Sequence, residues 1–306
     1  MALAGWSCAA VWLAGAGGAV VQGAVEASAA SDATNAAPAT ETRTPALMDV
    51  AALPFPVGEA ITYRIYWGVV PVGQARVVIE RVEEHGRPLL AIRSTARTNR
   101  LLEKFYPVND LLESLIDPAT FLPVRFTKKI SEGHYWTHEI TTFDHAQRRA
   151  YYESKKSGAK SDYAIDADTR DILSMMYFLR SRPFVVGSKV TYRVMADEKL
   201  YDFSIDIQSD EKIKTENYGT VASVKAEPKA AFQGLFIRKG RAWFWISRDP
   251  RQLAVKMAAQ VPVASITLEL DKVSGPGKDF WIKPAPEDKP AQTKAEERHD
   301  DQKRPG

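Results

Sequence analysis

The sequence predicts a mainly β fold of antiparallel curved sheets, arranged as an open barrel or sandwich from two similar halves, with one buried helix near residues 169–182. Segments rich in β-branched and aromatic residues recur every ~8–12 residues, which is typical of antiparallel β proteins. One such segment occurs twice, at residues 55–65 and 184–194. A single stretch carries apolar side chains nearly all round a helix, and such a helix has to be buried. The predicted strands are residues 61–67, 74–82, 89–96, 121–130, 135–143, 149–152, 190–195, 201–208, 220–226, 236–246, 253–261 and 264–271.

The repeated segment indicates an internal duplication. Six of the eleven positions in the two copies are identical, and two more exchange Ile for Val. A second similarity follows in the same order. An Asp-Pro pair begins at Asp117 after the first copy and at Asp249 after the second. Both pairs are expected to start turns. We therefore predict two related halves, at about residues 51–150 and 184–275.

The N-terminal residues have the features of an export signal. Residues 1–25 carry no charged side chain and include a long apolar run, and residues 27–29 supply an Ala-Ser-Ala cleavage site. The usual basic start is missing, so either the start is misplaced or the export signal is weak. An uncleaved anchor and a cytoplasmic protein are the alternative interpretations. The run is glycine-rich and short for a membrane span. We predict a signal peptide over residues 1–29, periplasmic localisation, and a processed chain that is not an integral membrane protein.

Three further regions follow the predicted leader. Residues 30–50 are rich in Ala, Thr, Ser and Asp and form a predicted linker. Residues 276–306 are rich in Pro, Lys and Glu with few apolar side chains, so they cannot offset the chain entropy of folding and are predicted to be disordered. Residues 51–275 form the β-rich domain, which is long enough to bury a core without metal or disulfide support.

Charge and cysteine content exclude several classes of protein. The 41 basic and 38 acidic residues give a net charge of +3, without the concentrated basic stripe of a nucleic-acid-binding surface. The only cysteine is Cys8, inside the predicted leader. A processed chain would therefore have no disulfide, no thiolate nucleophile and no cysteine-ligated metal.

The predicted helix covers residues 170–182. Asp168 and Thr169 are expected to cap its N terminus, and Pro183 is expected to stop it. Because the helix is apolar nearly all round, we expect it to pack across the opening between curved sheets.

No catalytic or metal-binding motif stands out. His134 and His138 have the spacing of helical metal ligands, but on the predicted strand they lie ~13 Å apart, too far to share one ion. The helix dipole accounts for the acidic residues Asp166, Asp168 and Asp171 near the helix start. Two Ser-x-x-Lys matches lie in polar loops, without the companion motifs of penicillin-interacting enzymes. The sequence therefore predicts no catalytic residue, no metal and no cofactor.

Aromatic and methionine side chains are the remaining candidates for ligand binding. Residues 242–246 are apolar on both faces of a presumed strand, so both faces should be covered. Either these side chains form a packed core, or they line a cleft for an apolar or amphipathic ligand, with flexible methionines as one wall. The candidate ligand-binding residues are Trp67, Trp136, Met175, Met176, Tyr177, Trp243 and Trp245.

Several short motifs resemble the bacterial domain of unknown function 3108. F-x-V-G-E at residues 55–59, followed by Tyr63 and by Trp-Gly and Val-Gly pairs, is similar to the opening of that family. D-I-L-S-x-x-Y-F-L-R at residues 171–180 is similar to its middle, and W-x-S-x-D at residues 245–249 to its last signature. The resemblance spans about residues 54–271. It implies an exported, mostly β envelope protein, and it carries over no catalytic residues.

These observations together favour a periplasmic, non-enzymatic binding or assembly factor of the cell envelope, whose ligand or partner is a lipid, a glycan or an envelope protein. One alternative is a structural protein-interaction module that pairs through exposed strand edges. Another is a hydrolase of envelope polymers whose catalytic groups are not grouped in the sequence.

Overall fold

Fourteen antiparallel strands form one continuous sheet in the part of the chain that the structure describes. The structure is a computed structural model and describes residues 53–196, 199–230, 241–260 and 265–276. The predicted fold class is confirmed, whereas the predicted leader, the linker and the tail from residue 277 onward lie outside the described residues. The strands are β1 (Ala60–Trp67), β2 (Val70–Glu84), β3 (Arg87–Thr98), β4 (Asn109–Ile116), β5 (Pro123–Glu132), β6 (Tyr135–Asp144), β7 (Arg149–Ser154), β8 (Lys160–Ala164), β9 (Lys189–Ala196), β10 (Lys199–Thr215), β11 (Gly219–Ala230), β12 (Arg241–Ser247), β13 (Ala254–Gln260) and β14 (Ser265–Ser274).

The strand order brings the two ends of the domain together at the middle of the sheet. β1 pairs with both β2 and β14, so the order runs from β8 down to β1, then to β14 and down to β9. Alternate residues of β1 are buried, namely Ile61, Tyr63 and Ile65, while the intervening side chains face outward. One face of β1 therefore contributes to the interior around which the sheet curves.

The two edge strands β8 and β9 are bridged by the segment that joins them. Ile165 N donates to Arg148 O at 2.9 Å on the β7 side of the gap. On the β9 side, Met195 N donates to Arg170 O at 2.8 Å. This segment covers the seam of the barrel with backbone hydrogen bonds and leads directly into the helix.

The single α-helix in the described residues, α1 (Ile172–Leu179), lies inside the curved sheet. Its N-cap is Asp171, whose carboxylate accepts hydrogen bonds from Leu173 N at 2.8 Å and Ser174 N at 2.9 Å. The predicted cap at Asp168 and Thr169 was wrong. Arg170 is held in the bridge to β9, so the helix cannot begin before residue 171. The predicted end at residue 182 was also wrong, because the helix ends at Leu179 and the backbone N–H groups of residues 180–182 bond three residues back, as in turns. The predicted burial of the helix is confirmed, because seven of its eight residues are buried.

We predict that Asp171→Ala lowers the free energy of unfolding by about 2 kcal/mol, because it removes a buried cap from two N–H groups. It also removes the acceptor of the Ser114 hydroxyl, which donates to Asp171 Oδ2 at 2.5 Å. Urea unfolding measures the change. Asp168→Ala is the matched control, since Asp168 is exposed and caps nothing. Equal losses in the two variants would contradict the assigned cap.

The two copies of the repeated segment adopt the same turn before β1 and β9. Gly58 N donates to Ile79 O at 2.7 Å, and Gly187 N donates to Ile207 O at 2.8 Å. Both glycines have positive φ, +101° and +84°, a conformation that L residues with a side chain rarely adopt. The duplication of the whole domain remains a prediction.

Candidate functional site

An apolar cavity of about 100 Å³ lies between α1 and the half of the barrel formed by β1, β2 and β10–β14. Leu173 and Met176 form its helical wall. Small side chains at Ala75, Ala226 and Ala254 leave the space open on the side of the sheet. A volume of this size exceeds that of a single water site and can hold a short apolar group.

One corner of the cavity is polar. Arg180 is the residue that follows α1. Its guanidinium forms a bidentate ion pair with Glu59, with Nη1–Oε1 at 2.5 Å and Nη2–Oε2 at 2.9 Å. Both side chains are buried, and the Glu59 carboxylate is fully so. Arg180 Nε also donates to Arg251 O at 3.0 Å, and Gln252 Nε2 donates to Arg180 O at 2.6 Å. The guanidinium thus ties the helix end to Glu59, just before β1, and to the turn between β12 and β13.

Two tyrosines line the cavity next to this ion pair. Burial raises the pKa of Tyr63 and Tyr177 above the ordinary tyrosine range, and the Arg180 guanidinium opposes that shift. The buried Tyr177 hydroxyl lies near the Arg180 guanidinium, but no hydrogen bond of ordinary geometry reaches it from Arg180 or from another described residue. Its ring packs edge-on against Phe55, with centroids 5.0 Å apart. A buried hydroxyl without a partner is costly, so a ligand group that hydrogen-bonds to it would gain affinity.

A second buried arginine fixes the start of the helix. Arg170 Nη1 donates to Phe121 O, and the guanidinium lies 3.9 Å from the centroid of the Phe178 ring. Burial lowers the pKa of Arg170 to about 10, so it stays protonated at neutral pH. Arg170 and Arg180 together anchor both ends of α1, and the helical wall of the cavity is held in place.

The structure brings only some of the predicted ligand-binding residues together. Met176 and Tyr177 line the cavity, whereas Met175 is buried in the core on another side of the helix. Trp243 and Trp245 alternate with the cavity-lining residues of β12 and therefore face away from the cavity.

The two faces of β12 differ in their surroundings. Trp245 Nε1 donates to Glu211 at 2.6 Å, and the Lys225 ammonium lies 5.3 Å from the Trp245 ring.

The remaining candidates, Trp67 and Trp136, are exposed at one end of the barrel, 43% and 48% respectively. The ligand-binding role of all seven residues remains a prediction.

The sequence reasoning missed the charged corner of the cavity. Glu59 and Arg180 each belong to a motif that carried the family resemblance, but the two positions are 121 residues apart. The feature of the sequence that pointed to this corner was a single arginine at the end of an otherwise apolar helix. Such a group needs a buried partner, and the sequence does not say which acid supplies it.

The predicted histidine pair lies where the strand prediction places it. His134 is in the turn before β6 and His138 is on β6. Among the described residues, no group of three or more His, Cys, Asp and Glu side chains is arranged to hold a metal ion.

The fold and the cavity define a barrel-like antiparallel β protein with one internal helix and an apolar site between helix and sheet. The chain belongs to the family described as protein of unknown function (DUF3108), which matches residues 62–271. The family resemblance in the sequence motifs is confirmed. No curated protein matches the chain in sequence.

A solved structure shares the architecture. It is the crystal structure of a β-barrel-like protein of domain of unknown function DUF1849 from Brucella abortus. The match covers 72% of this chain and 99% of that chain, with a TM-score of 0.50 and 10% sequence identity. At this identity the likeness shows the fold alone. In the described part of the chain, no helix has the length and apolar character needed to cross a bilayer.

Proposed function

We propose that this chain is a non-enzymatic binding or assembly protein of the bacterial cell envelope that holds the apolar part of an amphipathic ligand. The observation that carries the proposal is the cavity between α1 and the sheet, with nearly all of its lining apolar and its polar groups gathered at one corner. Ligand sites commonly combine an apolar lining with a few convergent polar groups.

The chemistry of the corner indicates what the ligand carries. The Tyr177 hydroxyl makes no hydrogen bond of ordinary geometry, and the Arg180 guanidinium lies next to it in the lining. A ligand with a hydroxyl, ester or carboxyl group next to a short apolar chain would hydrogen-bond to the Tyr177 hydroxyl. The cavity of about 100 Å³ is smaller than the ~300–1,000 Å³ of drug-sized sites, so it fits one end of such a molecule.

The proposed location is the periplasm, and its support is the sequence of residues 1–29. Fractionation with N-terminal sequencing tests this part. A chain recovered from the periplasm that starts at residue 30 is the expected result, and an unprocessed chain in the cytosol would overturn it.

We predict that Ala226→Leu blocks the cavity without destabilising the fold. Ala226 is buried at the cavity wall, so a leucine fills empty space there and overpacks nothing. A fluorescent fatty acid is the probe, and its affinity is expected to fall about tenfold or more. The melting temperature of the variant should equal or exceed that of the wild type.

Ala150→Leu is the matched control for this substitution. Ala150 is equally buried on β7, packed against Phe143, Ile165 and Met195 and away from the cavity. The larger side chain should cost about 1–3 kcal/mol of stability there and leave probe binding unchanged. Native mass spectrometry of the protein isolated from cells gives the second measurement. Unchanged probe affinity in Ala226→Leu would contradict a ligand role for the cavity.

A further inference from the structure

Exposed apolar side chains are concentrated at one end of the barrel. Among the described residues, nine large hydrophobic side chains are exposed, and six of them lie at the end that carries the β1–β2, β3–β4, β5–β6 and β7–β8 connections. We call this the loop end. Its exposed apolar residues are Trp67 (43% exposed), Val69 (91%), Val70 (56%), Leu101 (72%), Phe105 (79%) and Trp136 (48%).

Hydrogen bonds join these connections into one surface. Asn99 in the β3–β4 loop donates through its backbone to Val72 O at 2.9 Å, and through its side chain to Pro71 O at 2.7 Å. On the other side of the same loop, Gly133 N donates to Pro107 O at 2.8 Å. The apolar tips are therefore held at fixed relative positions, so they can engage one surface together.

Basic side chains surround the apolar tips. Arg100 and Lys104 are exposed in the β3–β4 loop, and neither forms an ion pair with any residue that the structure describes. The Lys156 ammonium in the β7–β8 turn lies 5.0 Å from the centroid of the Trp136 ring. Lys155 is also exposed in that turn, although it pairs with Glu153. Glu103 is the exposed acid of the β3–β4 loop.

The geometry points to docking of the loop end on an anionic lipid bilayer. Projecting aromatic and aliphatic side chains enter the headgroup region, where tryptophan is favoured, and basic residues beside them attract anionic headgroups. The side chains come from separate turns and project individually, as Val69 shows most clearly at 91% exposure. That shape fits a deformable lipid surface better than a preformed groove on a protein. The inference does not depend on the cavity being occupied.

Vesicle co-sedimentation with the full chain tests the docking surface. Wild-type protein should bind vesicles that contain phosphatidylglycerol, and the binding should weaken in high salt. Val69→Asp/Phe105→Asp is expected to weaken binding by at least about tenfold, because it removes the two most exposed apolar side chains. Arg100→Glu/Lys104→Glu is expected to weaken it by about 25-fold or more, since each basic side chain contributes about fivefold near an anionic surface.

Val185→Asp is the matched control, since Val185 is an exposed valine (58%) at the opposite end of the barrel. Its vesicle affinity should equal that of the wild type. Every variant keeps the same leader sequence, so a contribution of residues 1–29 cancels in the comparison. Equal effects at Val69/Phe105 and at Val185, or no binding by wild type, would overturn the inference.

A site-specific fluorophore gives a second readout. In a Cys8→Ser background, an environment-sensitive dye on Val69→Cys should shift to the blue when phosphatidylglycerol vesicles are added, whereas a dye on Glu83→Cys at the opposite end should not. The contrary result is a dimer or a protein complex that forms without lipid and that Val69→Asp/Phe105→Asp disrupts. That result would assign the loop end to a protein interface and contradict the lipid proposal.

Discussion

Replacing Arg180 with methionine is expected to lower the free energy of unfolding by about 3–5 kcal/mol, the largest effect of any single substitution proposed for this protein. The substitution leaves the Glu59 carboxylate inside the barrel without the two hydrogen bonds that it receives at 2.5 and 2.9 Å. A buried charge that has lost its partner pays its full desolvation cost. Urea unfolding followed by tryptophan fluorescence measures the change.

An exposed ion pair provides the matched control. Arg149 pairs with Asp162 on neighbouring strands, and both side chains are about half exposed. Arg149→Met should cost less than about 1 kcal/mol, because solvent screens this pair. The double variant Glu59→Leu/Arg180→Met should be more stable than Arg180→Met alone, since no buried charge remains in it. If Arg180→Met costs no more than Arg149→Met, the buried pair does not hold the helix as we infer.

The second large effect is a pH dependence of the free energy of unfolding, which arises from Asp110. Asp110 on β4 and Glu132 on β5 are both buried, 4% and 3% exposed. Burial, with a smaller contribution from the neighbouring Glu132 carboxylate, raises the pKa of Asp110 to about 8. A hydrogen bond from Ser131 N at 2.9 Å to the carboxylate partly opposes this shift.

The sign of the effect follows from the two states of the chain. In the unfolded chain an aspartate has a pKa of about 3.9. The folded protein therefore keeps the proton to a higher pH than the unfolded chain does. The contribution of Asp110 to stability is intact below about pH 4, declines as the pH rises toward 8, and is lost above that value. Asp110→Asn should remove this decline, because the amide cannot ionise.

We expect Asp110→Asn to be more stable than the wild type by about 1–3 kcal/mol at pH 8, and by much less at pH 5. Urea unfolding at a series of pH values measures the difference. Asp202→Asn is the control, since Asp202 is exposed on β10 and should leave the pH profile of the wild type unchanged. A difference between Asp110→Asn and wild type that stays constant from pH 5 to 8 would refute the assignment.

Local sequence patterns predicted most of the strands but missed two of them, β4 and β8. The segment Asn109–Ile116, which forms β4, contains consecutive leucines and a glutamate, a composition that also suits a helix. It is a strand because β3 and β5 pair with it on both sides. Lys160–Ala164, which forms β8, is almost entirely polar and exposed, and only its pairing with β7 makes it a strand. Pairing of this kind is a tertiary property that short-range composition does not encode.

The residues that line the cavity could likewise be predicted only in part from the local sequence. The sequence identified the helix and its bulky residues, and Met176 and Tyr177 do line the cavity. Trp243 and Trp245 lie on the same strand as the cavity-lining Phe244 and Ile246, and the two-residue alternation of the strand separates the pairs onto opposite faces. Which face turns inward depends on the curvature of the whole sheet, so the tryptophans could not be assigned from the segment alone.

The sequence by itself determined the fold class, the family, the buried helix and the two Asp-Pro turns, because each depends on periodicity or on a motif within a few residues. Asp117 and Asp249 each accept a hydrogen bond from the backbone N–H two residues later, as turn-forming aspartates do. Only the tertiary structure decided that Glu59 meets Arg180, and that the exposed apolar tips gather at one end. Both results require strand pairing to bring distant segments together, and the energy of a buried ion pair depends on that closure.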